Sequence, residues 1–307
     1  MKENINFLYC FDSNYNIQAF TSIISLLKNT SRKINIYVIH SEDNFNTQVP
    51  KEILNHKNLS SLTSYKFNDY NYEFPNIKNV HISVATYFRL FIKNYLPGNE
   101  KVFVFLDPDV ICIQDPVSEI QNTIKKLNDS EFTIAAKTEH TSGVKRINVN
   151  DKYFNAGVMV IDFEKWQKKD FHEQLINKLQ DLIYNIVKWA QDVLNCMLNR
   201  NYLELKEVMN FKAATKVNKK SKAEVIFIHY MGSHKPWLTS GMFQKDANFY
   251  HSNFNSIAKN SFHIEHKWKV RSMIDFLIAI FTLKIFRLNK PLIFIFEFVI
   301  SFLKDKK

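Results

Sequence analysis

The stretch that most restricts the fold is Lys101-Val102-Phe103-Val104-Phe105-Leu106-Asp107-Pro108-Asp109. Val102 to Leu106 is an unbroken apolar run of β-branched, aromatic and leucine residues, which reads as a strand buried on both faces of a sheet. Pro108 has no N–H to give to a ladder, so regular pairing stops beside it. Two carboxylates therefore leave the end of a central strand, the edge where open α/β sheets bind ligands. A bend between positions i and i+2 lets both acids reach one hard cation. Taken as a tripeptide alone, a polar turn closing a strand is the better reading, because short motifs recur by accident.

The flanking sequence supplies the rest of an α/β fold. The run Ile5–Phe11 reads as a first buried strand, and residues 12–16 as a polar turn rich in helix-capping types. Ile17, Phe20, Ile24 and Leu27 recur at helical spacing to about Lys28, and residues 34–39 read as a second strand. Strand, helix and strand in that order form a βαβ unit with a parallel pair. A short helix near residues 51–56 and a strand near 64–67 follow. Ser83 then caps a helix that turns Val84, Tyr87, Phe88, Phe91 and Tyr95 inward and closes at Pro97-Gly98. Further strands are expected at 132–136, 154–163 and 225–229, and helices at 164–188 and 191–199. Residues 138–152 read as a polar loop. The lysine-rich stretch 216–222 reads as a solvated loop, or as one that closes over a phosphate.

The 307 residues suit one large α/β domain with an appendage, or two domains. Cys10, Cys112 and Cys196 are far apart with no CxxC, which argues for a reducing compartment and against a cysteine zinc site. The first apolar run is too short and wrongly flanked for a signal peptide. A cytosolic or cytosol-facing protein is the expectation. Formal charge is +11, and much of it lies beyond residue 258, where ten basic and four acidic residues interrupt runs of Leu, Ile and Phe. No window there has the roughly 20 uncharged residues that a spanning helix needs. A basic, aromatic, helix-prone tail suits an anionic membrane surface; packing on the preceding domain or an oligomer contact is the alternative. The boundaries are thus 1–258 for the catalytic unit and 259–307 for the tail.

His229 ends the strand expected at 225–229, and with Asp107 and Asp109 it forms a candidate set for an octahedral Mn²⁺ or Mg²⁺ ion. A satisfied buried histidine is the plainer alternative. Six segments in order then carry a resemblance. They are Phe11-Asp12-Ser13-Asn14-Tyr15; Thr86-Tyr87-Phe88-Arg89-Leu90 with Tyr95-Leu96-Pro97; and Phe105-Leu106-Asp107-Pro108-Asp109. Tyr153-Phe154-Asn155-Ala156-Gly157-Val158-Met159 with Trp166, Gln191-Asp192-Val193-Leu194-Asn195, and His229-Tyr230-Met231-Gly232-Ser233-His234-Lys235-Pro236-Trp237 complete them. Over about residues 5–240 the chain resembles the family 8 glycosyltransferases, the group containing bacterial lipopolysaccharide glucosyl- and galactosyltransferases.

The resemblance implies a GT-A type fold: an α/β, Rossmann-like mixed sheet flanked by helices, here with a basic helical C-terminal tail. It implies transfer of a hexose, glucose or galactose, from a UDP-sugar with retention of configuration. The acceptor would be a lipopolysaccharide, lipooligosaccharide or other lipid-linked glycan at the inner face of the cytoplasmic membrane. Asp107, Asp109 and His229 would hold the ion. Lys235 and Gly232 would meet the diphosphate, and Asp12 and Asn14 the uracil and ribose. Arg89 would bond the donor sugar or order the acids, and Asn155 and Ala156 occupy sugar-contacting positions. Gln191 and Asp192 occupy the catalytic stretch, where Ala190 replaces a carboxylate the family often carries. A carboxamide is a poor nucleophile. Same-face attack therefore fits better, with the departing phosphate helping to deprotonate the acceptor and Gln191 stabilising the oxocarbenium-like centre. A basic nucleic-acid-binding protein is an alternative prompted by the charge. The apolar setting of that charge, and the lack of an aromatic–basic alternation on a sheet, count against it. A non-catalytic membrane-bound scaffold of the same fold is disfavoured by the intact acids, His229 and Lys235.

Overall fold

Strand β1 (Ile5–Phe11), helix α1 (Asn16–Asn29) and strand β2 (Ile34–His40) form the expected βαβ unit, with β1 and β2 parallel from Ile5 beside Ile34 to Phe11 beside His40. The computed structural model describes residues 4–68, 72, 74, 83–139, 152–182, 189–213 and 224–304. The lysine stretch 216–222 and most of the loop 138–152 lie outside these residues.

Strand β3 (Leu59–Lys66) adds in parallel to β2, and β4 (Val102–Leu106) adds in parallel to the other side of β1. Beyond β4 the direction changes. Strand β7 (Tyr153–Asp162) runs antiparallel to β4 and to β6 (Ile134–Glu139), and the short β8 (Leu203–Glu204) closes the edge parallel to β6. The order β3-β2-β1-β4-β7-β6-β8 makes a mixed sheet.

The pleat sorts side chains onto two apolar layers. Phe103 and Phe105 join Leu8 and Cys10 in one cluster, while Val104 and Leu106 join Phe7, Tyr9 and Phe11 in the other. The first cluster is covered by segment Val84–Asn94 and helices α4 (Phe171–Leu182) and α5 (Trp189–Leu198). The second is covered by α1 and by α2 (Val117–Asn128), to which the sequence reading assigns nothing. Helix α3 (Phe163–Lys168) opens the connection from β7 to α4.

Segment Val84–Asn94 is a 3₁₀ helix, where the sequence reading expects an ordinary helix. Apolar residues at 84, 87, 88 and 91 stand at the 3.6-residue spacing of an ordinary helix, and the tighter winding instead buries residues 87–92 in unbroken succession. Ser83 caps it as expected, its hydroxyl accepting the Ala85 N–H at 3.2 Å. The strand expected at 64–67 starts earlier, at Leu59, because an edge strand with Ser60, Ser61 and Ser64 shows no apolar alternation.

A second sheet, β5-β10-β9, stands beside the first. Strand β5 (Val110–Cys112) begins directly after Asp109. It pairs antiparallel with β10 (Phe227–His229), which pairs in parallel with β9 (Phe211–Lys212). His229 therefore reaches the acids by antiparallel pairing in a separate sheet. The sequence reading instead places it on the shared end of parallel strands.

After α6 (Ala247–Phe254), the tail forms α7 (Lys269–Phe281) and α8 (Pro291–Lys304). Phe276 and Phe298 stack at 4.0 Å, within a cluster that includes Met242, Phe243 and Phe294. The Glu297 carboxylate accepts the N–H groups of Ser261 and Phe262, each at 2.8 Å. The tail thus packs on the preceding segment. Its outer faces nonetheless expose Val270, Phe281, Phe286, Leu292, Phe296 and Leu303. Among the described residues no helix is long and apolar enough to cross a membrane.

Buried His251 on α6 gives this packing a pH signature. Its Nε2–H donates to the Pro236 carbonyl at 3.0 Å, and its Nδ1 accepts the His263 N–H at 3.4 Å. Burial, reinforced by neighbouring His263, pushes its pKa from 6.5 down to about 3. Below 6.5 the unfolded chain takes up this proton and the folded chain does not. The stabilisation from a neutral His251 is thus complete above 6.5 and is lost as pH falls toward about 3, with the slope of one proton. In chemical denaturation followed across this range, His251→Gln is expected to lose stability less steeply than the parent.

Candidate active site

Both acids are clamped by backbone pairing on each side of Pro108. The Asp107 N–H donates to the Gly157 carbonyl of β7 at 2.8 Å, and the Val110 N–H donates to the Asp107 carbonyl at 3.1 Å. The Tyr230 N–H, next along from β10, donates to the Asp109 carbonyl at 3.1 Å. One ligand atom each from Asp107, Asp109 and His229 then lies within 4.8 Å of the others. Two carboxylates and an imidazole at that spacing fit a divalent cation. Gly157 keeps the space open: an added Cβ would collide with Cε1 of His229 and lie 2.9 Å from Oδ2 of Asp107.

Two cations balance the acids. Arg89 is buried, and its Nη2 donates to Oδ1 of Asp107 at 2.6 Å. Its Nη1 donates to the Ala156 carbonyl at 2.8 Å and its Nε to the Thr86 carbonyl at 2.9 Å, with the guanidinium over the Phe105 ring. Of the two roles expected for Arg89, these bonds support ordering the acids. Lys235 donates to Oδ2 of Asp109 and, at 2.7 Å, to the Tyr230 carbonyl. Burial by itself would raise the pKa of Asp109. The charges of Lys235 and His229, with their hydrogen bonds, outweigh it and hold the carboxyl well below the usual range.

Helix α5 is sewn to β7 by Asn195, which accepts the Phe154 N–H at 2.8 Å and donates to the Phe154 carbonyl at 2.9 Å. That registers Gln191, whose Oε1 accepts the Ala156 N–H at 3.1 Å. Asn155 accepts the Gly157 N–H at 2.9 Å and a side-chain N–H of Asn210 at 3.0 Å.

These groups surround a cavity of about 340 Å³, at the small end of ordinary ligand pockets. Arg89, both acids, Asn155, Gln191 and His229 line it, as do Gly232 and Lys235. Gly232 has φ +80°, a conformation that favours glycine. The remaining sequence candidates lie off its wall. Asp12 accepts the Asn14 N–H at 3.0 Å and caps the turn Ser13–Tyr15, while flanking Phe11 and Tyr15 face the cavity. Ala156 contributes backbone bonds behind Gln191 and Arg89. Asp192 is buried, its carboxylate accepting the Tyr153 phenol at 2.6 Å. Trp166 and Trp237 are core residues.

Trp189 and Glu139 also line the cavity, and the sequence reading names neither. Trp189 has φ +49°, left-handed backbone just before Ala190. Its only signal in the sequence is its place two residues before Gln191. Glu139 carried none.

The model of the family described as "Glycosyl transferase family 8" matches residues 6–241. The chain belongs to that family. Among its relatives is General stress protein A of Bacillus subtilis (strain 168), 27% identical, over 76% of this chain and 88% of that protein. Another is the lipopolysaccharide 1,3-galactosyltransferase of Salmonella typhimurium (strain LT2), 27% identical, over 83% of this chain and 79% of that protein. The crystal structure of galactosyltransferase LgtC in complex with donor and acceptor sugar analogs superposes with a TM-score of 0.70 at 18% identity, covering 87% of this chain and 100% of that one. The mixed sheet is thus of GT-A type, and the chain is a family 8 glycosyltransferase with its acidic motif at Asp107–Asp109.

In this family 8 chain, Gly157 is the position where the smallest change tests the site. Gly157→Ala must displace the His229 ring. A destabilisation of about 1–3 kcal/mol is expected from overpacking, together with weakened binding of any divalent cation at these three residues, measured by thermal unfolding and metal titration.

Proposed function

We propose that the protein transfers a hexose, glucose or galactose, from a UDP-sugar to a lipopolysaccharide, lipooligosaccharide or other lipid-linked glycan, with retention of configuration. The observation that carries this reading is the convergence of Asp107, Asp109 and His229 on one wall of a cavity that Lys235 also lines. The names of the relatives, which include a lipopolysaccharide galactosyltransferase, support the substrate class. Mn²⁺, or Mg²⁺ in its place, is the ion that Asp107, Asp109 and His229 would hold. When bound it neutralises charge on the leaving nucleoside diphosphate.

The chain's own residues divide the remaining work. Arg89 holds Asp107 in place. Lys235, now on Asp109, is the cation nearest to incoming phosphate oxygens, and Gly232 lets backbone approach them. Asp12 and Asn14 take the uridine end, beside Phe11 and Tyr15. Asn155 and Ala156 meet the hexose. Gln191 faces the anomeric centre: a carbonyl oxygen has two lone pairs, and the Ala156 N–H uses one. Asp192 acts through Tyr153, which is hydrogen-bonded to both Asp192 and Gln191. The acceptor hydroxyl then attacks on the face the diphosphate leaves, giving that phosphate its proton. A covalent glycosyl–enzyme trapped on any carboxylate would contradict this route.

The catalytic unit is 1–258, and 259–307 forms a surface for anionic membrane on the cytoplasmic side. Exposed Phe281, Leu283 and Phe286 stand among exposed Lys284, Arg287 and Lys290, the mixture that favours a lipid interface.

Two measurements test these statements. UDP release from UDP-glucose or UDP-galactose is expected to need Mn²⁺, and Asp107→Ala or Asp109→Ala should lower kcat/KM by at least about 100-fold. Unchanged UDP affinity in both variants would refute the metal site. In flotation with anionic vesicles, Lys284→Glu/Arg287→Glu/Lys290→Glu should weaken binding on the order of 100-fold, at about 1 kcal/mol per basic residue. Equal flotation of parent and variant, or equal binding to zwitterionic vesicles, would remove the membrane role.

A further inference from the structure

We infer that Asn210 is a positioning residue that fixes the tautomer of His229, leaving Nε2 as the ring nitrogen presented to the cation. The inference deepens the metal reading of Asp107, Asp109 and His229 and rests on it.

The backbone N–H of Gly157 can only donate. It lies 2.9 Å from one side-chain atom of Asn155. That atom must be the acceptor, Oδ1. Asn210 touches the same oxygen at 3.0 Å, so the Asn210 atom there must be the donor, Nδ2. The other end of the Asn210 amide is then Oδ1, an acceptor with no proton to give. It lies 2.9 Å from Nδ1 of His229. Nδ1 must therefore carry the hydrogen. In the metal-free protein Nε2 faces Asp109, 3.2 Å from its Oδ1; with a cation bound, Nδ1 keeps its hydrogen on Asn210 and Nε2 is the nitrogen that presents the lone pair. One backbone N–H thus sets three successive side-chain orientations.

The relay is built into the fold. Asn210 is completely buried, and His229 and Asn155 are nearly so. Asn210 ends the turn Glu207–Met209 and precedes β9, which pairs with β10 so that Phe211 and Lys212 lie beside Ile228 and His229. Burial makes a mispaired amide costly, so the alternative flip is disfavoured at each step. Metal-bound histidines commonly give their second ring N–H to such a partner, and loss of the partner typically weakens metal binding 10–100-fold. Asn210 also ties the cation ligand to Asn155, a proposed hexose contact, through a single amide.

The test uses the full chain labelled with ¹⁵N-histidine, with His229→Gln to assign the ring. Long-range ¹H–¹⁵N correlations of the metal-free protein are expected to show Nδ1 of His229 bearing hydrogen. Asn210→Ala should abolish that signature and weaken Mn²⁺ binding about 10–100-fold, read from the electron paramagnetic resonance of free Mn²⁺. Asn210→Asp keeps an acceptor for Nδ1 but cannot donate to Asn155. It should retain the Nδ1–H pattern and Mn²⁺ affinity while raising KM for the UDP-sugar. A parent spectrum with Nδ1 unprotonated overturns the proposal, even if Asn210→Ala does not fold. So does an Asn210→Ala protein that keeps parental tautomer and affinity. A parent that binds no Mn²⁺ overturns the metal reading and this inference together, whereas Mn²⁺ binding indifferent to Asn210 overturns this inference alone.

Discussion

Everything at the site depends on the antiparallel pairing of β5 with β10. Strand β5 starts where Asp109 ends, and its register sets His229 opposite Val110. More than a hundred residues separate the acids from His229 in the chain. Only this pairing, continued by the Tyr230 N–H on the Asp109 carbonyl, brings an imidazole nitrogen to the carboxylates. The main sheet could form without it. The cation site could not, because β4 supplies acids and no histidine.

The site is electrostatically dense in a setting that punishes unpaired charge. Asp107 has Arg89, and Asp109 has Lys235 and His229. Arg89 makes three hydrogen bonds, one from each guanidinium nitrogen, and sits over the Phe105 ring, which makes it a fixed support. Lys235 makes two, to Asp109 and the Tyr230 carbonyl, through a flexible stem that in the proposed reaction would exchange partner for phosphate. The two cations look alike in composition. The number of bonds each already makes separates their roles.

Much of the architecture was legible in the residues. Apolar runs located β1, β2, β4 and β7, since a strand buried on both faces has no polar interruption to blur it. The edge strand β3 was only partly visible, because Ser60 and Ser61 carry no such pattern. The 3₁₀ winding over Val84–Asn94 leaves no mark in the sequence, because its apolar residues stand at the 3.6-residue spacing of an ordinary helix. At the site, residues inside contiguous motifs were found. Asn210, Trp189 and Glu139 were missed, since each reaches the cavity wall or the metal ligands through a contact made far away in the chain. The tail's composition suits either a membrane surface or packing on the preceding domain. It packs through Phe276, Phe294 and Phe298 while exposing a second apolar face, and composition alone cannot say which phenylalanine points where.

The sequence by itself determined that a buried strand delivers two carboxylates to a sheet edge, and that motif-borne partners lay elsewhere in the chain. That information is local: hydrophobic runs, a proline that ends a ladder, and short ordered motifs. Only the tertiary structure decided which partners meet the acids and in what orientation. Those outcomes are set by strand register and by hydrogen bonds among buried side chains. Asp192 bears this out, standing beside Gln191 in sequence yet buried against Tyr153, because successive residues of a helix point about a hundred degrees apart.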